Sequence, residues 1–182
     1  MFILYALLAG IALGLLAGGQ LGALGDLRIR WVWVALAGLA VQLVLFSPLG
    51  ELLPGDAVPI AYVGSTAAVL AVVMRNWRIP GFALIALGAA LNLVAIVANG
   101  GYMPADPGAL AFAGLEPGSG ATNSIVTDSP ALYLLTDIFA IPAFLPLANV
   151  FSIGDAIIGV GVVVAIVAGM RVRPAGGGPG TA

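Results

Sequence analysis

The sequence predicts an all-α integral membrane protein with five spanning helices and one re-entrant or interfacial segment, the N-terminus outside and the C-terminus in the cytoplasm. Three observations carry that expectation. The chain of 182 residues is 62% hydrophobic and 8% charged, whereas soluble proteins carry about 25% charged residues. Its mean hydropathy is +1.16. Its six basic residues are all Arg and form three pairs, Arg28/Arg30, Arg75/Arg78 and Arg171/Arg173, each ending an apolar stretch. Cytoplasmic loops are enriched in Lys and Arg, so the three pairs mark one face of a bilayer.

A spanning helix needs roughly 20 mainly apolar residues. The first expected span is 2–24, with Gly10, Gly14 and Gly18 at a spacing that lets helix backbones approach closely, within this chain or in a dimer. It lacks a basic leader region and reads as a retained helix. Trp31 and Trp33 follow the first Arg pair as interfacial anchors. The second span is 31–46, ended by a turn rich in Pro and Gly. The third is 59–74 and the fourth 80–98, with Pro80 near its start. The segment 99–130 reads as a long outer loop, and loops of that length are functional or mobile. The last span is 153–170, and 174–182 reads as a disordered tail.

The segment 131–151 is apolar enough to span. If it crossed, Arg171 and Arg173 would fall outside, against the charge rule. It also holds Asp137, Pro142 and Pro146, which suit a continuous spanning helix poorly. A short helix plus an extended stretch at the outer interface is therefore expected. This places 1–173 in one membrane domain with Glu51, Asp56, Asp106, Glu116 and Asp128 outside.

Composition excludes several chemistries. With no Cys and no His, there are no disulfides, no thiolate or imidazole metal sites and no Ser–His catalysis. No metal site and no cofactor are expected. A net charge of −2 without a basic patch argues against nucleic acid as a partner. No Gly-rich phosphate loop follows a strand.

Asp137 and Asp155 stand out because each lies inside apolar sequence near the expected outer face. An ionisable group at membrane depth is costly and points to function. Two carboxylates brought close do not both ionise easily, so one keeps a proton while the other activates water. That is the requirement of an aspartic-type peptidase. The structural alternative is equally explicit: Ser152 and Asp155 have the spacing of a helix capping box. Asp137 equally fits the start of a short interfacial helix, facing water.

The stretch Phe151-Ser-Ile-Gly-Asp-Ala-Ile-Ile-Gly-Val-Gly161 resembles the final-helix motif of the type II (lipoprotein) signal peptidases, in which Phe-Asn-x-Ala-Asp precedes small and apolar residues. Thr136-Asp-Ile-Phe139 resembles the stretch holding that family's first catalytic aspartate. Ala86-Leu-Gly-Ala-Ala-Leu-Asn92 resembles its Gly-Gly-Ala-x-Gly-Asn run. The resemblance implies a bacterial inner-membrane enzyme with Asp137 and Asp155 catalytic and Asn92 in the active site. It also implies lipid-modified, membrane-anchored peptides as substrates. The family's Asp-Arg after that Asn is replaced here by Leu93-Val, and its last Asn by Ser152, with Asn149 nearby. The ending Asn149-Val-Phe-Ser-Ile-Gly-Asp155 is also similar to that of a family of small bacterial membrane proteins.

Asn92, Asn99, Tyr102, Asn149 and Ser152 are the candidate substrate-binding residues. Asn99, in Asn99-Gly-Gly-Tyr-Met-Pro104, equally fits a helix C-cap. Gln42 and Asn92 are expected to hydrogen-bond between helices. The stretch from Gly118 to Ser124 reads as a lid or as a plain surface excursion. The expected partners are membrane lipids and a membrane-anchored peptide or lipopeptide. The rival expectations are an inactive lipid- or peptide-binding protein on the same scaffold, and a small subunit of a membrane complex.

Overall fold

The structure, a computed structural model, describes residues 2–116 and 124–171. Arg173, the tail 174–182 and the segment from Gly118 to Asn123, on which three expectations rest, lie outside the described residues. The architecture is mostly helical. Helices α1 (Phe2–Leu16), α2 (Val32–Leu45), α3 (Ala57–Arg75), α4 (Phe82–Ala98), α5 (Pro107–Ala113) and α6 (Ile153–Met170) are joined by short strands and 3-10 turns. Two helices are long and apolar enough to cross a membrane, α3 with 19 residues and α6 with 18. Helices α1, α2 and α4 are apolar but shorter.

The first helix stops well short of the expected 2–24. It ends at Leu16, and a 3-10 turn occupies Leu21–Asp26. The cause is local. Gly18 takes a φ of +77°, a left-handed conformation that glycine adopts without steric penalty. Gly10 and Gly14 do serve helix packing, against Val163, Ile166 and Met170 of α6, but Gly18 meets nothing. The other four long helices fall on the remaining expected ranges, with ends shifted by at most two residues.

Small residues set how the helices meet. Along α4 and α6, Gly88 lies on the Gly154 carbonyl and Gly81 on the Gly161 carbonyl, so the two helices run antiparallel in close contact. Helix α1 runs parallel to α6 on another face, with Phe2 beside Gly159 and Gly14 beside Met170. Gly38 of α2 approaches Ser65 and Val69 of α3. Gln42 donates from its amide to Ser65 Oγ at 3.3 Å and to Thr66 Oγ1 at 3.1 Å, the expected bond between helices. Helices α3 and α4 complete the row.

The directions of these helices gather the described Arg residues, with Asp26, at one end. Leu24 and Leu27 pack on Gly169, and Gln20 N–H donates to the Met170 carbonyl. The buried amide of Asn76 bonds the Arg30 backbone in both directions, at 2.9 and 2.8 Å. Arg28, Arg30, Arg75, Arg78 and Arg171 therefore share one end of the bundle. Asp56, Asp106, Asp137 and Asp155 lie at the other.

The segment 99–130 contains more order than its composition suggests. Strand β1 (Met103–Pro104) pairs in parallel with β2 (Ser124–Ile125). Helix α5 between them has Asp106 as its N-cap, accepting from Ala109 N–H, with Pro107 in its first turn and Gly114 in the left-handed C-cap. The segment 131–151 has a single 3-10 turn, Tyr133–Leu135, instead of a short helix. It then forms an antiparallel hairpin of β3 (Phe139–Ile141) and β4 (Asn149–Phe151). Pro142 and Pro146 sit in the hairpin loop, where neither has to donate to the ladder.

Candidate functional site

The hairpin carries Asp137 to the start of α6. Phe139 pairs with Phe151, so Asp137 precedes the paired stretch while Ser152 and α6 follow it. The Asp137 backbone is fixed from the other side, its N–H donating to the Pro104 carbonyl at 2.9 Å and its carbonyl accepting from Asp106 N–H at 3.0 Å. Stacked rings of Phe2, Phe151 and Phe139 cover this junction, with centroids 4.3 and 5.5 Å apart. Tyr5 donates its hydroxyl to the Pro146 carbonyl and ties the hairpin loop to α1.

Asp155 sits in a closed ring of hydrogen bonds. Its N–H donates to Ser152 Oγ at 3.0 Å, and one carboxylate oxygen accepts from Ser152 N–H at 3.1 Å. That is the capping box expected from the spacing. Asn92 adds the second half: its amide donates to the other Asp155 oxygen at 2.7 Å, while its Oδ1 accepts from Ser152 Oγ at 2.8 Å. The ring exists because Gly154 has no side chain. A Cβ there would fall on Asn92 Oδ1.

Both carboxylate residues border one cavity of about 350 Å³. Asp137 is 4% exposed and Asp155 half-buried. Asn92 and Asn149 line the same cavity, whereas Ser152 is buried and touches it through Asn92 and Asp155. The structure thus brings together Asp137, Asp155, Asn92, Asn149 and Ser152. Asn99 is engaged elsewhere. Its amide donates to the Ala95 and Ala131 carbonyls at 2.8 and 2.9 Å, and its Oδ1 accepts from Ala131 N–H at 2.8 Å. It locks the far end of the outer segment onto the end of α4. Tyr102 is half-buried just before β1 and is absent from the cavity lining.

Three further lining residues are Gln42, Tyr62 and Thr66. Gln42 is read from sequence as a bond between helices, and the structure adds its place on the cavity wall. Tyr62 and Thr66 escape sequence reading, although Tyr62, Ser65 and Thr66 follow the spacing of one helix face. A second polar cluster lies on the adjoining surface. Asp106 accepts from Ala109 N–H at 2.9 Å and from the Tyr133 hydroxyl at 3.0 Å. These bonds hold the Asp106 carboxyl below the usual carboxylate value and push the Tyr133 hydroxyl up.

Among the described residues, no group of three or more acidic side chains is placed to hold a metal ion. The arrangement is suited to acid–base chemistry or to holding a polar group beneath an apolar one. No curated protein and no solved structure matches the chain. The family model that does match covers 26–167, from the turn before the first Arg pair almost to the end of α6, and is not a signal peptidase model. The polar residues of this cavity, from Gln42 to Asp155, all fall within that match, and the chain belongs to the DUF5317 family, a family of unknown function.

Proposed function

We propose that the protein is an intramembrane aspartic peptidase-like hydrolase of a bacterial inner membrane, acting at the outer leaflet on membrane-anchored or lipid-modified peptides. The observation that carries this reading is the meeting of Asp137 and Asp155 on one cavity. Asp155 is the base, oriented by Asn92 and Ser152. It takes a proton from water as the water oxygen bonds to the peptide carbonyl carbon. Asp137 gives its proton to the carbonyl oxygen, completing a gem-diol. On collapse the carbon–nitrogen bond breaks. The leaving nitrogen takes the proton from Asp155, and one hydroxyl of the diol returns a proton to Asp137. Asn149 offers an amide to the substrate backbone. Asn92 and Ser152 are positioning residues.

The membrane placement in this reading has five spans, N-terminus outside. Its support is the collection of Arg residues at one end of the bundle. The outward faces of the shorter helices are apolar too: Leu8 is 63% exposed, Leu16 85% and Leu43 76%. Apolar side chains exposed along these helices suit contact with lipid tails.

The test is cleavage of a synthetic diacylglyceryl peptide by the purified full chain in detergent. Asp137→Asn and Asp155→Asn should each lower kcat by about 100-fold or more, with the thermal transition of Asp137→Asn within a few degrees of wild type. Undiminished turnover in either variant contradicts the reading. One observation favours a second reading, a lipid- or peptide-binding protein without chemistry: both Asp155 oxygens already accept hydrogen bonds within the capping ring. Saturable lipopeptide binding with no cleavage by the folded protein would select it.

A further inference from the structure

The end of the bundle opposite the two aspartates contains a recess of about 370 Å³ lined by Arg28, Arg30, Arg75 and Arg78 together with Asn76 and Trp77. We propose that this recess is a binding site for a phosphate-bearing anionic headgroup, with a phospholipid of the adjoining leaflet as its source.

The four guanidinium groups come from two separate turns, and Asn76 is what joins them. Its buried amide donates to the Arg30 carbonyl and to the Val72 carbonyl, both at 2.8 Å, and accepts from Arg30 N–H at 2.9 Å. The turn before α2 and the turn after α3 are thereby locked side by side, and four like charges face one recess. Two are held against indoles: Arg75 lies 5.9 Å from the Trp31 ring and Arg78 5.7 Å from the Trp77 ring. Such stacking orients a guanidinium while leaving its N–H groups available. Among the described residues none of the four makes an ion pair, Asp26 in the same turn included. Four cations with no ion pair among the described residues, on turns joined by Asn76, favour an anion, and planar forked donors match phosphate oxygens. Trp31 and Trp77 are 58% and 61% exposed, which suits indoles at headgroup depth beside the site. Basic pockets between helices on the cytoplasmic side are a known form of headgroup recognition.

The inference is independent of the chemistry proposed for the other end. All three Trp residues of the chain, Trp31, Trp33 and Trp77, belong to this end, so their fluorescence reports on it. The full chain in a zwitterionic detergent would be titrated with short-chain phosphatidylglycerol, short-chain phosphatidylcholine and inorganic phosphate. The expected result is a saturable change with phosphatidylglycerol, at least about tenfold weaker in Arg28→Gln/Arg75→Gln and in Arg30→Gln/Arg78→Gln. Arg171→Gln, outside the recess, should change the affinity by less than about twofold. Saturation by inorganic phosphate with the same loss in both double variants would keep the phosphate site and make its source soluble. Equal responses to the two lipids without a phosphate response, unchanged affinity in both double variants, or an equal loss in Arg171→Gln would overturn the proposal. All four substituted side chains are exposed, so unchanged thermal transitions are expected, and the two independent pairs guard against misfolding of either.

Discussion

At the arginine end, the connection from α3 to α4 takes only 76–81, and one buried Asn holds it against the neighbouring turn. At the aspartate end, the chain between α4 and α6 runs from 99 to 152 and includes a short helix, a 3-10 turn and two strand pairs. The difference shows where a small helical bundle can place polar groups at depth. Short turns present side chains outward, and the result is a shallow charged recess. A long segment folded back over the helix ends roofs them, and buries Thr136, Asp137 and Ser152 beneath it. Backbone pairing is what makes the roof possible: β3 with β4, and Asp137 with Pro104 and Asp106, satisfy peptide groups of the folded-back segment.

The largest effect is expected at the helix contact beneath the roof. Gly154→Ala drives a methyl group onto Asn92 and toward the Gly88 carbonyl, and should cost about 3 kcal/mol. Thermal unfolding in detergent would show it, together with loss of the proposed lipopeptide turnover. The arginine end has its own weak point. Asn76→Ala removes three hydrogen bonds and should cost about 2 kcal/mol. The proposed cleavage at the far end should survive at temperatures where the variant is folded, which separates the two regions.

Ser152→Ala is milder, about 1 kcal/mol for a lost N-cap. It also releases Asn92 Oδ1, so kcat should fall more than stability explains; an unchanged kcat would remove Ser152 from the positioning role. The smallest effect is electrostatic. The folded Asp106 carboxyl titrates below its ordinary value of 3.8, chiefly through Ala109 N–H and then the Tyr133 hydroxyl. A depressed carboxyl contributes stability above its unfolded value and loses it as pH falls through the folded one. Wild type should therefore lose stability below about pH 4 in a way that Asp106→Asn does not, measured by unfolding across the acid range. Parallel acid profiles would count against it.

Much of this was legible in the sequence, for reasons that differ by element. Helices α2, α3, α4 and α6 were visible because their apolar runs are bounded by Arg, Trp and Pro. The Ser152–Asp155 cap was visible because its spacing is a local rule. The end of α1 was not. Gly10, Gly14 and Gly18 share one spacing, and nothing in that spacing separates two packing glycines from one that turns the chain. Helix α5 had its full set of signals in Asp106, Pro107 and Gly114, but its seven residues lie within a stretch whose Gly and Pro content suggested only loop. The strand pairs were out of reach, since pairing Met103 with Ser124 or Phe139 with Phe151 depends on register across intervening chain. For the same reason the cavity's Tyr62 and Thr66 were missed: they join the site only once α3 is placed.

In the proposed membrane placement the two ends face opposite sides of a bilayer, and the absence of native Cys makes that directly measurable. Single substitutions Asp56→Cys and Ser129→Cys at one end, and Arg78→Cys at the other, would be exposed in intact cells to a membrane-impermeant maleimide. Asp56→Cys and Ser129→Cys should be labelled in intact cells, and Arg78→Cys only after permeabilisation. Labelling of Arg78→Cys in intact cells, with the other two protected, would contradict that placement.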